Sequence, residues 1–472
     1  MKRRILAFVL AIMMTVVLLA ACGNGADDTP PADPAPAAQE EDDADPGDTA
    51  DAPDTQVEAG SVSLTFWWFP LWEGLAPGDL DGRHDTWPLA MIDQFMAENP
   101  EVGEINFELL AWDTGVQALD IAVAANNAPN LCYIDLAWLP RYIAEDMVIP
   151  VNDFLQPGEL EDFFESATDY ATYNGSLYAF PILIAPRLFF ANYTLLDEMG
   201  LAHLLPLTGD RSWTIDEFME IASHFPIERD GRTIFATSIS TAQAAWDQYL
   251  WFWNFGAELY DPTETYFTFN SPEGVAAVTF LYEMVEREIF HLHSGGALGL
   301  SFWAGETAFG IGMGNTVEAV RGIAERYTPE GEPVPEFVAL QFPRGPGVEN
   351  AFTYSGIGGL PVFRQATHCD DQVRAAMNFA SFLTAGERNY IVKALGCFPV
   401  RRSAGDIYDG DENAAIVMSM LPFGRDLGRG ENTNRVFLYV INPFLEEIYM
   451  GLTTIEQGLA DMTAEANRIL GE

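Results

Sequence analysis

The chain has 472 residues, 49% of them hydrophobic, with 70 acidic against 23 basic side chains and a formal charge of −47. That balance excludes nucleic acid and an anionic membrane surface as partners, and disfavours a polyanionic ligand unless a local basic pocket overrides the global field. Of the four cysteines, one lies near the N-terminus, and the odd remainder (Cys132, Cys369, Cys397) is no disulfide framework.

Met1 to Ala21 starts with Lys2, Arg3 and Arg4, continues through an apolar core and ends in small residues before Cys22. It reads as a secretory signal, residues 1–21, rather than a fold element. Leu19-Ala20-Ala21-Cys22 resembles the bacterial lipobox, which makes Cys22 the expected lipidation site and places the protein on the extracellular face of the cell membrane. Residues 22–60 read as a disordered acidic tether. From Gly23 to Gly60 there are twelve acidic residues, no basic ones and no aromatics, too little apolar surface to offset chain entropy. About 410 residues follow, enough for two domains.

Ser61–Phe69 alternates as a strand and runs into Trp67, Trp68 and Trp72. Trp87–Asn99 has helical spacing, Ile105–Leu110 is a second strand ending at Trp112-Asp113, and Gln117–Ala125 is a helix. Asn130–Leu136 is a third strand, ending at Asp135 with Trp138 close behind. Strands alternating with helices predict a parallel sheet with a ligand crevice beyond the carboxyl ends of its strands. Three strands deliver Trp and Asp to that edge.

Asn174-Gly175 then turns the chain into an apolar run from Leu177 to Phe190 interrupted by Pro181 and Pro186. Two prolines in a buried strand mark an edge, a bulge or a change of sheet. Arg187 is the charge in that run, either reaching water or needing a partner or ligand. Further helices are predicted from Tyr193, over Trp213–Phe225 with Ser212 or Thr214 as cap, over Ala244–Phe255, over Pro272–Arg287 and through Pro443–Leu470. The stripe Trp246, Tyr249, Leu250, Trp253 reads as core before ligand platform. Cys132 reads as core packing; Cys369 with Cys397 is left open as a pair.

Asn130–Leu155, Tyr173–Asn192, Ser212–Phe218, Phe302–Met313, Ser355–Val362, Ala375–Glu387 and Gly396–Arg401 together resemble the extracellular solute-binding proteins of ABC importers, in the carbohydrate-binding family that includes maltose-binding protein. The resemblance implies an α/β, two-lobed, type II periplasmic-binding-protein-like fold. Each lobe would be a mainly parallel sheet flanked by helices, the two joined by three hinge crossings near Pro181, Phe309–Gly314 and Ser355–Gly359. Lobe one would be 61–180 plus 309–355, and lobe two 181–308 plus 356–472. It also implies a monomer that captures a carbohydrate and works with importer permease subunits.

Sugar binding needs flat apolar faces and fixed polar groups. The candidates are Trp67, Trp68, Trp72, Trp112, Asp113, Asp135, Trp138, Arg187, Trp246, Trp303, Asn315, Tyr354 and Ser355. Trp303 stands where the family often carries a polar residue. No catalytic residue, metal ligand or cofactor is expected. Tyr354-Ser355-Gly356 lacks the glycine of a nucleophile elbow, His291-Leu292-His293 lacks a third ligand, and Asp406–Asn413 fails the EF-hand spacing and reads as a solvated loop. The alternatives are a receptor for a peptide or polyamine, and a surface glycan-degrading enzyme with a carboxylate pair.

Overall fold

The strand Val62–Trp68 buries Val62, Leu64, Phe66 and Trp68 on one face, the period-2 pattern of a strand under a layer of helices. In the computed structural model it is the centre of a parallel sheet, with Val102–Leu109 on one side and Leu131–Cys132 on the other. The structure describes residues 58–71, 83–112, 114–242, 245–293, 300–312, 316–388, 390–430 and 432–471. The expected signal, nearly all of the tether with Cys22, and Trp72, Asp113 and Asn315 lie outside those residues.

The helix Asp370–Thr384 covers this first sheet. Phe379 meets Phe66 edge-on at 5.2 Å and Phe95 of the helix Thr86–Glu98 at 4.8 Å. Phe363 N–H donates to Asn130 O and Ile149 N–H to Val362 O. Residues 362–384 therefore pack in lobe one, although the sequence reading placed 356–472 in lobe two.

Leu188–Asn192 lies between Phe309–Gly312 and Phe337–Leu340, antiparallel to both. Beside them Thr237–Ser240 and Phe290–His293 form a parallel pair, joined through Phe309 N–H to Ala236 O. Phe309–Gly312 is thus an interior strand of lobe two and not a crossing. Its Gly310 is demanded by packing, since a Cβ there would sit 2.3 Å from the Phe302 ring. The helices Asn442–Tyr449 and Ile455–Leu470 close lobe two, where Gln248 Nε2 donates to Asn442 Oδ1 at 2.6 Å and Phe267 N–H to Asn467 Oδ1 at 2.8 Å.

Between the lobes Phe180–Pro186 pairs antiparallel with Thr353–Leu360, from Phe180↔Leu360 to Pro186↔Ser355. Phe398–Pro399 occupies its other edge. The prolines now have positions: Pro181 sits opposite Gly359 at a break in register, and Pro186 ends the strand. Arg187 is the joint at which the chain leaves this sheet for that of lobe two. The third strand of the sequence reading is likewise two pieces, because Leu131–Cys132 stays in lobe one while Ile134–Asp135 pairs with Gly358–Gly359 of the return strand.

Thr214 caps the helix Ile215–Ala222 in a reciprocal box with Glu217, holding two N–H groups that the first turn leaves without partners. Cys369 is exposed, Cys397 and Cys132 are buried, and among the described residues none of the three is in a disulfide, so Cys369 and Cys397 do not pair. In the acidic loop, Asp411 accepts from Ala414 N–H (3.0 Å) and Val317 N–H (3.0 Å), so it acts as a helix cap.

Candidate functional site

Period-2 geometry builds the wall of a cavity between the lobes. On the paired strands Phe180–Pro186 and Thr353–Leu360, the residues Leu183, Ala185, Tyr354, Gly356 and Gly358 face inward, and Arg187 continues that row past the strand end. Lobe one adds Leu71, Trp112, Val116, Tyr133, Asp135 and Trp138; lobe two adds Trp246, Leu427 and Phe437. The cavity volume is about 110 Å³, room for several water-sized groups at ~10–15 Å³ each.

Gly356 and Gly358 lie in the crossing segment Ser355–Gly359, and neither has a positive φ. Their role is steric. A Cβ on Gly356 would lie 2.4 Å from the Tyr354 ring, and one on Gly358 would lie 2.3 Å from Tyr133 Oη. The missing side chains let both tyrosine rings lie flat against the strand.

Asp135 has both oxygens engaged. Oδ1 accepts from Ala137 N–H at 2.9 Å and Oδ2 accepts from Tyr354 Oη. Burial pushes its carboxyl above the usual carboxylate range, with the bond from Tyr354 opposing the shift, and burial also raises the Tyr354 phenol. Tyr354 stacks on Trp246 with ring centroids 5.2 Å apart and an interplanar angle of 13°. The Arg187 guanidinium carbon lies 4.6 Å from the Trp246 centroid, a cation–π contact that a desolvated site strengthens. Trp112 stacks on Phe69 at 4.5 Å and remains 39% exposed, a face presented to the cleft.

Six of the candidates therefore meet in one place: Trp112, Asp135, Trp138, Arg187, Trp246 and Tyr354. Four do not. Trp68 is core, packed on Trp87 and Tyr133, and Trp67 points from the opposite face of the same strand and packs half-buried against the core. Trp303 is buried with Phe190, Phe302 and Phe337 in a second apolar cluster apart from the cavity. Ser355 lies on the reverse face from Tyr354, its Oγ 3.4 Å from Arg425 O. Tyr133, Leu427 and Phe437 were missed: Tyr133 sits inside an apolar run that reads as core, and the other two come from a distant C-terminal segment.

Next to Trp246, Asp247 begins the helix Asp247–Asn254. Its Oδ2 accepts from Ser240 N–H at 2.9 Å, while its buried Oδ1 has no partner among the described residues. Burial pushes this carboxyl up to about 7, against ~4 in an unfolded chain. Its contribution to stability is complete below about pH 4 and is lost as the pH rises toward about 7. The melting temperature of Asp247→Asn is expected to match the parent near pH 4 and to exceed it by a few °C at pH 8. Parallel melting curves for the two proteins across that range would sink this assignment.

The model describing a bacterial extracellular solute-binding protein matches residues 90–416. A binding protein of Brucella abortus is 26% identical over 107 residues, 23% of this chain and 26% of that protein. Diacetylchitobiose binding protein DasA of Streptomyces coelicolor is 26% identical over 211 residues, 44% of this chain and 41% of that protein. The chain thus spans well under two thirds of these relatives' length. In fold it is similar to the ABC substrate-binding protein Lmo0181 of Listeria monocytogenes in complex with cycloalternan, with a TM-score of 0.69 and 17% identity over 87% of this chain and 99% of that one.

Proposed function

The chain belongs to the bacterial extracellular solute-binding proteins, a family of receptors and not of enzymes, and from that premise we propose that it captures a carbohydrate between its lobes and releases it to the permease of an ABC importer. One observation carries the reading: three tryptophans and two tyrosines wall the interlobe cavity around Asp135 and Arg187. Aromatic faces suit the C–H side of a pyranose, and a carboxylate and a guanidinium suit its hydroxyls. The sugar ligands of DasA and of the Listeria protein support the same class. A polyamine fits the wall less well, because Arg187 would face it with like charge.

Capture by lobe closure is supported by the lining, which is contributed by both lobes and by the strands that join them. In this reading the receptor works as a monomer, and lipidation at Cys22 holds it at the membrane while residues 23–60 keep the lobes clear of the surface. The test has two arms. The exported chain is screened by thermal shift against neutral sugars, acidic sugars, oligopeptides and polyamines, and the same chain is labelled in cells with palmitate. A shift with sugars alone and a label lost in Cys22→Ser are the expected results. A shift with peptides or polyamines and none with sugars overturns the ligand class; a label retained in Cys22→Ser overturns the anchor.

A further inference from the structure

Arg187 has more hydrogen-bonding capacity than its surroundings use. Its Nη1 donates to Ala185 O at 2.6 Å and to Pro186 O at 3.3 Å, whereas a guanidinium offers five N–H groups in a planar fork. Elsewhere in the protein Arg141 meets Asp120, Arg401 meets Glu159 and Arg429 meets Asp426. Among the described residues no carboxylate comes within 4.0 Å of Arg187. Asp135 is the acid on the same wall, and its oxygens face Tyr354 and Ala137 instead. Burial also draws Asp135 toward its neutral form and makes the Arg187 charge harder to hold. A cation in a cavity with so weak a counter-charge is costly, and a ligand that brings the counter-charge removes that cost.

We propose that the solute is a sugar bearing one carboxylate, a uronic acid or an oligosaccharide ending in one, whose two oxygens take the remaining N–H edge of Arg187 while a ring face lies on the cavity tryptophans. The proposal rests on the carbohydrate reading and narrows it. A planar carboxylate matches the fork in two parallel bonds. A phosphate monoester shares the anionic chemistry, but its second negative charge is opposed by the net charge of −47.

The experiment is calorimetric titration of the intact exported chain with matched pairs, glucuronate against glucose and galacturonate against galactose, at the monosaccharide and the disaccharide level, with glucose 6-phosphate as a further arm. At least one uronate is expected to bind tenfold or more tighter than its neutral parent and than the phosphate. In Arg187→Gln that ratio is expected to fall toward one, and Arg187→Lys, which keeps the charge without the fork, should recover part of it. A neutral parent binding as tightly as its uronate overturns this inference and leaves the carbohydrate reading standing. Preference for the phosphate overturns the carboxylate assignment, and failure of every sugar to bind overturns both readings. The parent's own ratios decide the matter should either variant fail to fold.

Discussion

Trp246→Ala is expected to weaken binding of the cognate solute by about 30- to 100-fold, ~2–3 kcal/mol, the size of a truncated aromatic anchor. Trp246 stands at the start of the helix Asp247–Asn254, with Tyr354 stacked on it and Arg187 above its ring. It therefore provides a ligand face and also fixes the two polar-tipped side chains from the crossing strands. Removing it frees Arg187 and Tyr354 to sample other rotamers, so loss of preorganisation adds to loss of contact area. Trp246→Phe should retain a planar face and lose about tenfold less than the alanine variant. Calorimetric titration checks this, with a thermal melt to show that lobe two is folded. An alanine variant within threefold of the parent would mean that the solute sits elsewhere in the cleft.

Arg401→Met is expected to cost about 3–5 kcal/mol of stability, the range for breaking a buried ion pair from one side. Arg401 and Glu159 are 5% and 7% exposed. Arg401 Nη2 donates to Glu159 Oε1 and Thr384 Oγ1, both at 2.7 Å, while Glu159 also accepts from Ser381 Oγ at 2.5 Å and Gln156 N–H at 2.8 Å. The guanidinium carbon lies 4.1 Å from the Phe163 ring centroid. This network joins residues 156–163 to the C-terminal end of the helix Asp370–Thr384 and to the residues just after Phe398–Pro399, so it ties three segments distant in sequence. Methionine fills the space of the side-chain stem and strands the carboxylate. Urea unfolding measures the loss, and pairing the change with Glu159→Leu should recover more than half of it, because the stranded charge is then gone too. A single variant that loses less than 1 kcal/mol would show that the pair does not carry the junction.

Much of the local structure was legible from pattern. The alternation in Val62–Trp68 announced a strand and the apolar spacing in Pro272–Glu286 a helix, and of the two caps the sequence offered, Ser212 or Thr214, the chain uses Thr214. Four of the six cavity residues among the candidates could be found from local pattern: Trp112, Asp135 and Trp138 fall at or just past the end of a predicted strand, and Arg187 is the charge in an apolar run. Trp67, Trp68 and Trp303 look equally suitable in sequence, yet two of them lie on core faces and one packs half-buried against the core. The glycine-rich run at 310–314 suggested a crossing, while pairing places Phe309–Gly312 inside lobe two.

The sequence by itself determined the first two strands, most of the long helices and that aromatic and acidic side chains gather at strand ends, because periodicity and capping act over a few residues. Only the tertiary structure decided which face of each strand meets the cleft, since a shift of one residue in register turns every side chain over. It also decided where the lobes join. Asp135 reaches the cavity because Ile134–Asp135 leaves the first sheet to pair with Gly358–Gly359, a partner more than two hundred positions away, and no local signal encodes that choice.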